Sequence, residues 1–331
     1  MDHNNTLSFQ INRCSNTNYQ SNYAKNVAGF TLIELMISLV LGLLISAAVI
    51  QVYIVNTRTV TIQQSASEAQ DSTIFALQSL EDHIRIANLG NPITSISDTT
   101  NHGGIVLTST NLGSIKPTEA KYFTQSAGSK DWKGLSNITG VDSDQLTIQY
   151  KNITPNNLYD CQGGEIKAGS ADWIVERYFV RLATSASGKA SGVQDLVLAC
   201  AAGSVSGDGT VVSGLDGIGS VIVPGIDQFK ILLGIKLDIN KLTYIAPSTY
   251  LGLTEKPPIN TVKLGVIIRS STPLITDTDQ TNFTVLGTPQ TLKADTVRRK
   301  HYRRSYESTI LLRNARLMDV VATAPTLAKT P

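Results

Sequence analysis

Apolar and polar positions divide the first 92 residues into three stretches of different character. Residues 1–29 are mostly polar, and they give way at Gly29-Phe30 to a run in which 20 of the 26 residues from Phe30 to Val55 are apolar. Glu34 is the only carboxylate in that run. From Asn56 to Leu89 there is neither Pro nor Gly, and Ala66, Ala69, Thr73, Leu77, Leu80, Ile84 and Ala87 recur at spacings of three and four. Such spacing gathers them on one face of a helix. Gly90-Asn91-Pro92 is a stop signal. The pattern therefore predicts one helix from Phe30 to Leu89, apolar all round over 30–55 and amphipathic over 56–89. About 20 apolar residues suffice to cross a hydrocarbon core, so 30–55 is predicted to span a membrane.

Beyond Pro92 the pattern shortens to strand-length runs between Gly, Ser, Thr, Asn and Asp clusters. The strongest strand candidates are Gln145–Lys151, Trp173–Leu182, Asp195–Cys200, Gln228–Leu237, Val262–Arg269 and Ser308–Arg313. Gln145–Tyr150 alternates, which predicts an antiparallel strand with one solvated face. Ala201–Ser220 has six glycines and no aromatic residue, which predicts a mobile surface loop. The region 90–318 is expected to form one β-rich head, and 319–331 a frayed tail. The fold class is α+β, with a long N-terminal helix packed on an antiparallel head.

A carboxylate inside a spanning segment is costly, so Glu34 is a candidate functional residue whose partner has to be found. Ala28-Gly29-Phe30-Thr31-Leu32-Ile33-Glu34-Leu35-Met36 closely resembles the processing site of type IV pilins and type II secretion pseudopilins. The resemblance implies the type IV pilin fold and removal of 1–29 by a prepilin peptidase between Gly29 and Phe30. It also implies N-methylation of Phe30 and use of 30–55 first as membrane anchor, then as filament core. The new Phe30 amine would lie one helical turn from Glu34, and staggered parallel helices would pair one subunit's amine with a neighbour's carboxylate. Glu34 would then set assembly register. Leaving that carboxylate unpaired costs about 2.5–3.5 kcal/mol at a membrane centre, and less near an interface.

Three further stretches narrow the resemblance to PilW-type minor pilins. They are Phe75–Leu80 with Ile84–Ala87, then Pro224–Ile231, then Val262–Arg269 with the closing Ser308–Asn314. These pilins are thought to act in a tip or initiation complex with other minor pilins, the major pilin, a large tip adhesin and the inner-membrane assembly platform. The J-type pseudopilin of type II secretion shares the plan and stands as the alternative. A membrane-anchored periplasmic binding protein, with its leader uncleaved, is a second alternative.

Composition changes this picture little. The net charge is +2, too small for a field that would draw nucleic acid. Arg13 and Lys25 precede the apolar run, which fits a cytoplasmic leader and a periplasmic head. Cys14 leaves with the leader, so Cys161 and Cys200 remain as a pair. In a periplasmic head that pair is expected as a disulfide, with two free thiols as the alternative. Such a bridge over a loop of about 40 residues would contribute roughly 4 kcal/mol in the chain-entropy treatment.

Arg298, Arg299, Lys300, His301, Arg303 and Arg304 form the one dense basic run, beside Tyr302 and Tyr306. Its two readings are a patch for a partner or DNA and, favoured here, a solvated loop leading into the last strand. Asp142-Ser143-Asp144, Asp208-Gly209 and Asp277-Thr278-Asp279 lack EF-hand spacing and read as turns. No metal, cofactor or catalytic constellation is expected. His83 is read as a satisfied helix residue and not as a catalyst.

Overall fold

The computed structural model describes residues 29–113, 122–126, 134–183, 194–209, 211–238, 241–274, 280–294 and 300–315. Residues 1–28 of the leader, Arg298, Arg299, Asp277-Thr278-Asp279 and the tail beyond Met318 lie outside them. Two compact units divide at Ile54/Val55. The helix α1, Leu32–Arg85, contributes to both.

In the first unit α1 is apolar and bare. Phe30 is 84% exposed, and every described side chain from Leu32 to Ile54 is exposed. By length and composition this is the one described helix able to cross a membrane. At its start Thr31 caps the first turn, its hydroxyl accepting from the Glu34 N–H at 3.3 Å. An acidic residue in that turn also complements the helix dipole.

The second unit begins with the rest of α1. Its strands follow in chain order: β1 Leu146–Tyr150, β2 Leu158–Tyr159, β3 Glu165–Ile166, β4 Trp173–Leu182, β5 Leu196–Val205, β6 Val212–Ser213 and β7 Ser220–Pro224. Next come β8 Ile226–Asp238, β9 Lys241–Ile245, the short helix α2 Pro247–Leu251, β10 Ile259–Leu274, β11 Asn282–Val285, β12 Thr288–Thr291 and β13 Lys300–Leu311. One sheet has the order β1-β4-β5-β6 with β7 also on β5, and a second has the order β13-β10-β8-β9. Every pairing is antiparallel. Ala69, Leu77, Leu80 and Ile84 of α1 share one core with Leu146, Ile148, Tyr178 and Val180 of the first sheet. Phe229, Ile231, Val262, Leu264 and Ile310 of the second sheet belong to the same core. The amphipathic face of α1 thus covers the helix-facing sides of both sheets.

Several sequence expectations are corrected. The helix ends at Arg85, not Leu89, because the turn Ile86–Gly90 carries Asn88 at φ 68°. Asn88 is held there by its own amide. Its Nδ2 donates to the Ile93 and Asn314 carbonyls, and its Oδ1 accepts from the Gly104 N–H. Strand β1 has no solvated face: all five of its residues are buried, Gln149 Nε2 lies 3.1 Å from His102 Nδ1, and Val106, Leu112 and Tyr122 cluster with Trp173 and Val175 of neighbouring β4. The glycine-rich stretch is paired in part: β5 runs on to Val205, β6 returns against it and Ser220 opens β7, while 206–209 and 214–219 are turns and bends as expected of a loop. Its glycines allow close backbone approach, as at Gly203, where a Cβ would meet the Ser213 carbonyl at 2.2 Å. The last strand starts at Lys300, so the described part of the basic run, Lys300–Arg304, is strand and not the loop expected before it.

Candidate functional sites

Where the polar leader meets the apolar run, Gly29 and Phe30 are exposed and precede the first helical turn. Any enzyme acting there would meet an accessible, non-helical peptide bond. The Glu34 backbone is used locally: its N–H donates to Thr31 and its carbonyl accepts from the Ser38 hydroxyl at 2.8 Å. Its carboxylate has no partner among the described residues. Glu34 is thus placed in the first turn by the helix cap.

Cys161 and Cys200 form a disulfide with a Cα–Cα distance of 6.2 Å. Cys161 lies in the turn of the β2–β3 hairpin, and Cys200 is buried opposite Tyr178 on β4. Two residues from Tyr178, and facing α1 with it, is Glu176, fully buried. Its Oε1 accepts from the Tyr150 hydroxyl at 2.8 Å and the Cys161 N–H at 2.9 Å, and lies 2.9 Å from His83 Nδ1. Its Oε2 accepts from the Tyr178 hydroxyl at 2.6 Å. Burial alone would lower the His83 pKa, but the bond and charge of Glu176, with Asp160 and Asp82, outweigh it and the imidazole ends above its ordinary value. Burial first, then Glu176, raises both tyrosines, so they remain hydroxyl donors. His83 therefore does more than fill the helix face: it joins α1 to a buried carboxylate on β4.

A second buried carboxylate, Asp227, takes Arg303 out of the candidate basic patch. Arg303 Nε lies 2.7 Å from Asp227 Oδ2, and Arg303 is only 4% exposed. Asn137 Nδ2 donates to Asp227 Oδ1 at 2.6 Å, and Arg269 reaches from Asp227 to Asp195. Arg303 is thus the central cation of an internal cluster and offers nothing to a phosphate. On the same strand Lys300 and His301 are half-buried, His301 against the Ser270 carbonyl, and Arg304 is exposed. Burial, with Arg269 and Arg303 close by, lowers the His301 pKa and removes it as a cation near neutral pH.

Asp144 is likewise no turn residue: it is buried, pairs with Lys230 at 2.5 Å and accepts from the Ile231 N–H at 2.8 Å. Sequence reasoning missed Glu176, Asp227 and Asp144 as structural acids. The available signal was a carboxylate placed within, or directly before, an apolar strand run. Elsewhere on α1, Ser65 donates to the Thr272 carbonyl, Glu68 accepts from Ser271 and Thr272, and Glu81 accepts from Tyr306 at 2.9 Å.

Comparison with known proteins adds two matches at the level of families. Residues 178–314 match the family described as type IV pilus-assembly protein W, or PilW. Residues 24–50 match the prokaryotic N-terminal methylation motif. Among curated proteins none matches the chain. Among solved structures, a type IV-like pilin from Thermus thermophilus aligns over 75% of this chain and 97% of its own, at 11% identity and a TM-score of 0.37.

Proposed function

Because this chain is a type IV pilin-like protein of the PilW type, we propose that it acts as a minor pilin in the tip complex that primes pilus assembly. The family is structural, and the chain is not an enzyme. The observation that carries the reading is the junction at Gly29-Phe30, where an accessible bond precedes a bare apolar helix bearing one free carboxylate. A prepilin peptidase cleaves there and Phe30 becomes the methylated N-terminus. Residues 30–55 hold the protein in the inner membrane, with the head of 90–318 in the periplasm, until the helix moves into the filament. Glu34 then pairs with a neighbouring subunit's amine, which removes the cost of a lone carboxylate among apolar helices in one register only.

The size of the head supports a place at the tip. A head of this length would crowd a tightly packed shaft, whereas a terminal position leaves it room. Its neighbours there are other minor pilins, the major pilin beneath and a large adhesin, assembled on the inner-membrane platform. Two measurements test the proposal. Intact-mass analysis of the membrane-extracted protein is expected to give a chain starting at methylated Phe30, and a mature chain retaining Asp2–Gly29 would overturn it. Glu34→Ala is expected to leave membrane insertion intact and to cut pilus number severely. Unchanged pilus number with reduced type II secretion would assign the protein to the pseudopilus instead.

A further inference from the structure

The disulfide and the helix end meet at one buried side chain. Glu176 accepts from Cys161, from Tyr150 and Tyr178 on the first sheet, and contacts His83 on α1. We propose that Glu176 couples the Cys161–Cys200 bond to the docking of the α1 end, forming a redox-sensitive latch between helix and sheet.

The hairpin carrying Cys161 pairs through only two residue pairs, Leu158 with Ile166 and Tyr159 with Glu165. A ladder that short does not hold itself in water. Gln162, next to Cys161, adds bonds to Ala202 and Ser220, and Asn152 holds the base of the hairpin through the Ile166 and Lys167 carbonyls. With the sulfur bond open, the hairpin is free to lift and takes the Cys161 N–H away from Glu176. A buried carboxylate tolerates its site only while donors surround it. Losing one donor favours water entry at Glu176, and the contact on α1 open to that water is His83, whose side chain is already 17% exposed. The charged and titratable groups facing His83 are Glu176 and Asp160 from the sheet side and Asp82 on the helix, with the tyrosine hydroxyls beyond.

The chemistry is thiol–disulfide exchange with a dithiol. Cys200 is buried and Cys161 half-buried, so the attacking thiolate meets the Cys161 sulfur and expels the Cys200 thiolate. The second thiol of the reductant then closes its own disulfide and releases Cys161. Two electrons and two protons pass to the protein, which gains two thiols as the dithiol is oxidised.

Hydrogen exchange on the whole chain in detergent, with and without dithiothreitol, reads the latch out. We expect reduction to speed exchange at the helix end, Leu80–Asn88, about tenfold along with the hairpin, while the Ile226–Asp238 strand stays protected. In His83→Ala and Glu176→Gln the helix end should exchange fast from the start, and reduction should add nothing there. If Glu176→Gln does not fold, His83→Ala decides alone. Three results would overturn the latch. They are a loosened hairpin with an unchanged helix end, equal loosening of all three segments, or the full increment on reduction in His83→Ala.

Discussion

Residues Leu32–Ile54 of α1 keep their apolar side chains exposed, whereas from Ser65 onward the same helix buries Ala69, Leu77, Leu80 and Ile84 in the core. The polar groups divide in the same way. In the first stretch Glu34 has no side-chain partner among the described residues. In the second, Glu68, Glu81 and His83 each bond to a strand residue. The backbone is continuous helix throughout, so helix formation does not distinguish the two stretches; what each presents for burial does. The packed stretch is finished by its own chain. The bare one is covered by nothing among the described residues.

The largest expected effect breaks the comparison at its start. Gly29→Asp should block cleavage almost completely, so that the leader stays attached and the bare stretch never gains a free amine beside Glu34. Intact mass of the membrane fraction would show only the precursor. A normally processed Gly29→Asp chain would mean that the junction does not need a small residue.

Next comes the internal charge cluster. Arg303→Ala leaves Asp227 buried without its closest cation, and removing one partner of a buried pair costs about 3–5 kcal/mol. The thermal unfolding midpoint should fall sharply. If it does not, and polyanion affinity falls in its place, Arg303 belongs to a surface patch after all.

Paired substitutions along α1 sharpen the contrast itself. Leu80→Ala removes a buried side chain and should cost about 2–5 kcal/mol of unfolding free energy. Leu43→Ala, in the exposed stretch, should shift head unfolding by less than about 0.5 kcal/mol. Equal shifts would mean that the first stretch packs on the head in solution.

The smallest effect is one of pH. The His83 pKa is raised in the folded chain, so its contribution is fully present below the ordinary histidine value near 6.5 and is lost as pH rises through the folded value. Unfolding midpoints should therefore decline modestly on the alkaline side of that value, and His83→Gln should flatten the decline. A decline of the same size in His83→Gln would assign the titration to another group.

Local pattern alone determined much of this protein. The apolar run, the three-and-four spacing from Ala66 to Ala87 and the Gly90-Asn91-Pro92 stop predicted α1, because helix periodicity is written in neighbouring residues. The same holds for Trp173–Leu182, predicted with the bounds it has in the fold. The junction at Gly29-Phe30 and the lone Glu34 were equally legible, since a single charge in an apolar run is visible without coordinates. Tertiary structure decided the rest. Whether β1 has one wet face depended on His102, Val106, Leu112 and Tyr122, which lie outside the strand and pack beside it and its neighbour β4. Whether the glycine-rich stretch was loop or strand depended on β4, against which Ala201–Val205 pairs. Arg303 read as a surface cation until β13 brought it to Asp227, and Glu176 had no visible role until α1, β1 and the hairpin closed around it. Periodicity reports which face of an element is apolar. Only the packed chain determines what that face meets, and so which charges are enclosed and which remain free.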